Sequence, residues 1–202
     1  MNARRPKSDY PLILDIEASA LENGFPIEIG IAHPSQGAVH AWLIRPHASW
    51  AWDAWNPASE KIHGLSRTDL ARGGDVFTVA REILRAVGGR PLATDNPQFD
   101  GFWLSKLFEA AREDAPAVEQ VSLVDAVAAF AHRHGRNSAD VDAINRARNS
   151  AIDHSAAGDA ASWAAVIEVM VGQEEVDLSR IDEVFEKWAA RAQAASPWRI
   201  AR

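Results

Sequence analysis

The chain has 202 residues, 47% hydrophobic and 24% charged, which suits one ordinary globular domain with room for a sizeable core. Cysteine is absent, which excludes both a disulfide framework and a cysteine-ligated zinc site. A net charge of −7 argues against a protein that coats nucleic acid with basic surface, but not against one that grips a few nucleotides at a chain end, where bound cations would supply the positive charge.

Residues 1–7 carry positive charge with no apolar stretch behind it, so no signal peptide is expected. No run approaches the ~18 apolar residues of a membrane helix, and a soluble cytoplasmic protein is the expectation. The apolar run at residues 12–16 predicts a first strand. Ile27, Ile29 and Ile31, alternating with Glu28 and Gly30, predict a second, beyond a turn at Glu22-Asn23-Gly24-Phe25. Residues 38–45 predict a third, closed by Pro46. Apolar spacing predicts a helix over 76–87 that stops at Gly88-Gly89.

A buried strand is expected over 91–95. Asn96 should then cap a helix with Pro97 at its first position, running to about residue 112. A weaker strand is expected at 121–124, leading into a helix through about residue 134. From 155 to 171 the stripe Ala156, Ala160, Trp163, Ile167 and Met170 predicts a strong helix. An acidic stretch at 173–177 precedes a helix expected over 179–194, and residues 197–202 read as a tail. Strands first as a meander, then alternating with helices, point to an α/β domain with a mixed sheet.

Chemistry is concentrated in three places. Asp15-Ile16-Glu17 ends the first strand, and residues two apart in a strand project from one face, so both carboxylates can address one spot. Such a pair repels itself unless a cation lies between, although a D-x-E triplet alone is more often a solvated pair. In Asn96-Pro97-Gln98-Phe99-Asp100, the aspartate enters the first turns of a helix, where the helix dipole alone would favour an acid. In His154-Ser155-Ala156-Ala157-Gly158-Asp159-Ala160, the aspartate shares a helix face with Ala156 and Trp163. That face should pack on the sheet, and a carboxylate there needs a partner. A histidine just before a helix is, taken alone, more often a cap or surface residue than a catalyst.

Together and in this order, D-x-E, N-x-x-F-D and H-x-A-x-x-D-A resemble the DEDDh exonuclease family. That family includes the proofreading subunit of the bacterial replicative polymerase, ribonuclease T, oligoribonuclease and animal three-prime repair exonucleases. Pro26-Ile27-Glu28-Ile29-Gly30-Ile31 and Ile62-His63-Gly64-Leu65, with Leu70 after it, are similar to two further family segments. The resemblance spans residues 11–171, and a histidine five residues before the last aspartate marks the histidine branch. Two departures stand out. The family's threonine-rich turn is Ala18-Ser19-Ala20-Leu21 here, and the histidine usually before the second-motif asparagine is Asp95.

What the resemblance implies is a ribonuclease H-like fold with a five-stranded mixed sheet flanked by helices, over residues 9–172, followed by a C-terminal helical extension and tail over 173–202. It further implies a 3′→5′ exonuclease in which Asp15, Glu17, Asp100 and Asp159 hold two Mg²⁺ or Mn²⁺ ions and His154 is the general base. Ala18, Leu21, Ile62, His63 and Asn96 would contact substrate. The expected partners are 3′ ends of single-stranded DNA or RNA, with a homodimer left open and no membrane. Alternatives are a proofreading subunit that docks through its C-terminal segment, and a catalytically weak binding module on the same fold. Trp50, Trp52 and Trp55 either pad a loop against the core, the favoured reading, or form a stacking platform for bases.

Overall fold

The fold is built around a mixed sheet seen in a computed structural model that describes residues 10–170 and 178–200. Strands β1 (Leu12–Ala18), β2 (Pro26–His33) and β3 (Ala38–Leu43) form an antiparallel meander, and the short β4 (Leu92–Ala93) lies parallel to β1, giving the order β3-β2-β1-β4. Helices follow as α1 (Pro57–His63), α2 (Val76–Val87), α3 (Pro97–Ala111), α4 (Leu123–Arg133), α5 (Ser138–Ala151), α6 (Ala156–Met170), α7 (Ile181–Ala195) and α8 (Pro197–Ile200).

Both faces of the sheet are covered, which is why β2 is buried at every position. On one face Leu12, Leu14, Ile16, Ile27, Ile29 and Ile31 pack with α2 and α3. On the other, Ile13 and Ala32 pack with α4, α6 and α7. By strand alternation Asp15 and Glu17 share the face of Ile13, and Glu28 and Gly30 that of Ala32, so all four look toward α6. Alanine and glycine dominate the start of α6 and let its backbone lie close on the strands. Among the described residues, no helix is long and apolar enough to cross a membrane.

Four expectations are corrected. Among the described residues the sheet has four strands, not five. The strand expected at 121–124 is instead the start of α4: Ser122 caps it, its Oγ accepting from Asp125 N–H, while Leu123, Val127 and Ala131 supply a helical apolar stripe. A trace of fifth-strand pairing survives earlier in the chain. There Val118 forms an isolated parallel bridge to Leu92.

Residues 197–200 are not a loose tail: Pro197 opens α8, whose Trp198 and Arg199 reach back to Glu28 in the sheet. The strand expected over 91–95 shrinks to Leu92–Ala93, because Thr94 and Asn96 already begin the turn that caps α3. The acidic stretch at 173–177 lies outside the described residues.

Candidate metal centre

Asp15 sits at the middle of the site. Oxygen atoms of Asp15, Glu17 and Asp159 lie within 4.8 Å of one another, and so do oxygens of Asp15, Asp95 and Asp100. Asp15 therefore belongs to two carboxylate triads, each with the oxygen donors that hard divalent cations prefer.

Each arm of the site is fixed by local structure. Asp15 and Glu17 come from β1, whose ladder with β2 runs regularly as far as Glu17 and then slips between Glu17 and Ala18. Asp100 is buried in the first turn of α3, where the Thr94 hydroxyl donates to its Oδ2. Asn96 caps that helix and Pro97 starts it, so strand and helix meet with the acid turned inward. Asp95, one residue earlier, accepts on Oδ2 from Arg148 (3.0 Å) and from the Trp163 indole (3.1 Å). Arg148 in turn stacks on Trp163, 3.9 Å from its ring centre.

Asp159 lies one turn into α6. The Asp153 carboxylate accepts from both the amide and the hydroxyl of Ser155, and the Ser155 hydroxyl accepts from Gly158 N–H, which tightens the entry to the helix. A Cβ at Gly158 would fall 2.2 Å from Asp153 Oδ1 and 2.7 Å from Ser155 Oγ, so any larger residue there would push these two side chains out of their present bonding. His154, between those residues, is exposed and holds φ = 54°, a left-handed conformation that presents the ring outward beside Asp159.

Burial and mutual repulsion hold protons on these acids. Asp15 is pushed well above the usual carboxylate range by burial and then by Asp100, Glu17, Asp159 and Asp95. Burial, Asp159 and Glu28 raise Glu17 to about 8, with Arg199 opposing. Asp100 rises to about 7 through burial, the Thr94 hydrogen bond opposing and Asp95 adding to the rise. Asp159 reaches about 6 through burial and Asp153, against His154 and Arg148. Asp159 Oδ1 is also buried without a hydrogen-bond partner. A cation would lower all four and fill that vacancy in the bonding of Asp159, so the donor set fits a divalent ion.

The residues expected to contact substrate divide in two. Leu21 and Ile62 are 68% and 56% exposed, Asn96 is exposed, and Ala18 follows the slipped position at the end of β1. His63, by contrast, is buried: its Nδ1 accepts from Leu65 N–H, and its ring meets Trp55 edge-on at 5.9 Å. Among the tryptophans, Trp50 is buried and stacked on Phe25, and the Trp55 indole donates to Glu60, as the packing reading expects. Trp52 also stacks on Phe25 but stays 46% exposed.

Thr94, Arg148, Glu28 and Arg199 support the site and were not foreseen. For Glu28 a signal existed, a lone acid in a strand covered on both faces. Compared with protein-family models and with curated proteins, the chain matches none.

Proposed function

We propose that this protein is a metal-dependent 3′→5′ exonuclease of the DEDDh type on a ribonuclease H-like fold, hydrolysing single-stranded nucleic acid from its 3′ end. The observation that carries the reading is the pair of carboxylate triads sharing Asp15, whose members other than Asp95 come from the three motifs on which the family resemblance rests. Asp15, Glu17, Asp100 and Asp159 would hold two Mg²⁺ or Mn²⁺ ions. When bound, the ions supply Lewis acidity and a counter-charge for an in-line phosphodiester displacement.

The chain's own groups do the rest. His154, exposed beside Asp159, accepts the proton of the attacking water as general base. Thr94 orients Asp100, and the Arg148–Trp163 pair holds Asp95 at the rim of the second triad. Leu21 and Ile62 offer exposed apolar contact to the terminal bases.

End-labelled single-stranded RNA and DNA, each free or blocked at one end, test the assignment in Mg²⁺. Substrate with a bulky 3′ block should resist, a 5′ block should not matter, and products should be mononucleotides. Internal cuts or release from the 5′ end would overturn the polarity.

A further inference from the structure

Glu28 is fully buried in β2, directly opposite Glu17 on the β1–β2 ladder. Its carboxylate is where three elements meet. The Ala156 N–H, at the first residue of α6, donates to Oε2 at 3.0 Å. From α8, the Trp198 indole donates to Oε1 at 2.7 Å, and Arg199 donates through Nε to Oε1 at 2.8 Å and through Nη2 to Oε2 at 2.5 Å. The remaining guanidinium nitrogen, Nη1, donates to the carbonyl of His63 at the end of α1 at 2.9 Å. One planar group thereby ties β2 to the C-terminus of α1, while the Glu28 carboxylate that it holds also binds the first residue of α6.

Those elements frame the metal centre. β2 backs Glu17, α6 carries Asp159 just after the His154 turn, and α1 presents Ile62. Arg199 is itself mostly buried, its side chain 19% exposed. Burial opposes its charge, yet the hydrogen bonds and charge of Glu28, with Glu17 and Asp153 behind, hold its pKa above the usual value. A lysine there could supply one charge but not a fork that spans Glu28 and the His63 carbonyl together.

We propose that Arg199 is a positioning residue of the metal centre, which through Glu28 clamps the start of α6 onto the sheet so that Asp159 stays opposed to Glu17, and through the His63 carbonyl seats α1 beside them. The C-terminal turn thus completes the site, and its catalytic consequence rests on the exonuclease reading above.

The test uses the full chain, with Mn²⁺ affinity followed by electron paramagnetic resonance and hydrolysis of the p-nitrophenyl ester of thymidine 5′-monophosphate followed well below the melting temperature. In Arg199→Ala, Mn²⁺ affinity and kcat should each fall by roughly 10–100-fold, as for other groups that orient metal ligands, with KM little changed. Added methylguanidinium should restore part of the loss, and Arg199→Lys should recover little of it. Glu28→Gln, which keeps the side chain's shape, should weaken Mn²⁺ binding in the same direction if Arg199→Ala does not fold. A variant that melts earlier yet keeps Mn²⁺ affinity and kcat within twofold of the parent would overturn the proposal. A parent that binds Mn²⁺ yet releases no nucleotide would sink the exonuclease reading alone, because the Mn²⁺ titrations still decide the part of Arg199.

Discussion

Gly30 of β2 lies so close beneath Ala156 of α6 that a Cβ built on it would sit 2.1 Å from the Ala156 carbonyl oxygen and 2.5 Å from Ala157 N. Both are backbone atoms at the start of a helix, so they cannot rotate out of the way as a side-chain tip can. The absence of a side chain at position 30 sets how near α6 approaches β2 and hence how near Asp159 comes to Glu17. Gly30→Ala should push the helix start outward, costing about 1–3 kcal/mol as overpacking does. It should also weaken Mn²⁺ binding. Chemical denaturation and a Mn²⁺ titration on the one variant check both, and wild-type values in the two would show that this contact does not set the site.

A second expectation concerns Asp15, the member common to both triads. Asp15→Asn should abolish hydrolysis and weaken metal binding while the fold survives. Without metal its melting temperature should equal or exceed that of the parent, because one of several mutually repelling groups has been neutralised. Unchanged turnover at saturating Mg²⁺ would refute the metal assignment.

The same repulsion gives a signed pH dependence. Folded Glu17, Asp100 and Asp159 sit near 8, 7 and 6, against ordinary values of 4.5, 3.8 and 3.8. Their folded pKa values are raised, so the stability they contribute is fully present below about pH 4 and is lost as pH rises through 6 to 8. Metal-free protein should therefore melt lower at pH 8 than at pH 5.5, by on the order of 5–10 °C, and Mn²⁺ should stabilise it most at pH 8. Melting curves in chelator and in Mn²⁺ across that range test it; a metal-free melting temperature that rises toward pH 8 would contradict the buried-acid picture.

His33 works in the opposite sense at the far end of β2. It is buried, neither ring nitrogen has a hydrogen-bond partner, and His40 meets it edge-on at 5.1 Å. Burial first, then the charges of His40 and Arg90, lower its pKa from 6.5 to about 4. A depressed folded pKa means stability present above pH 6.5 and lost as pH falls toward 4, here roughly 3 kcal/mol for the one group. His33→Leu should remove that part of the acid loss. Denaturant titrations of parent and variant at pH 4.5 and 6.5 measure the difference directly, and equal losses in both would show that His33 titrates elsewhere.

How much of this was legible in the chain depends on how local the cause was. The β1 and β2 patterns, the Asn96-Pro97 helix start and the helix α6 with its apolar stripe are written in adjacent residues, and they emerge as expected, with α6 buried nearly all round. Asn56-Pro57 followed by Gly64, at φ = 70°, is the same start-and-stop signature and does form α1. In the sequence, Ile62-His63-Gly64-Leu65 reads first as a motif, which hides the helix end within it. α5 was also missed: within it only Ile144 is buried, too little for an apolar stripe to show. Among the site residues, Asp15, Glu17, Asp100 and Asp159 could be grouped because each stood beside a recognisable strand end or helix start. Arg199 could not, since its partner Glu28 is 171 positions away and no local pattern links them. The exposure of Leu21 against the burial of His63 is likewise a result of packing, invisible to spacing.

The last prediction separates chemistry from scaffolding at His154. Its ring is exposed and its backbone is left-handed at φ = 54°, so the side chain contributes little to packing, while the conformation itself is costly for any residue with a Cβ. If the imidazole is the general base, His154→Ala should lower the single-turnover rate by ~10²–10⁴-fold, with KM and Mg²⁺ affinity nearly unchanged, because the lost interaction belongs to the transition state. His154→Gly should lose as much rate yet melt no lower than His154→Ala, since glycine takes this φ without strain. A purely structural histidine would show the reverse: an earlier melt in the alanine variant, repaired by glycine, with cleavage near the parent rate in both. Single-turnover rates and melting temperatures for the two variants give four numbers. A glycine variant that cleaves as fast as the parent would remove His154 from the mechanism.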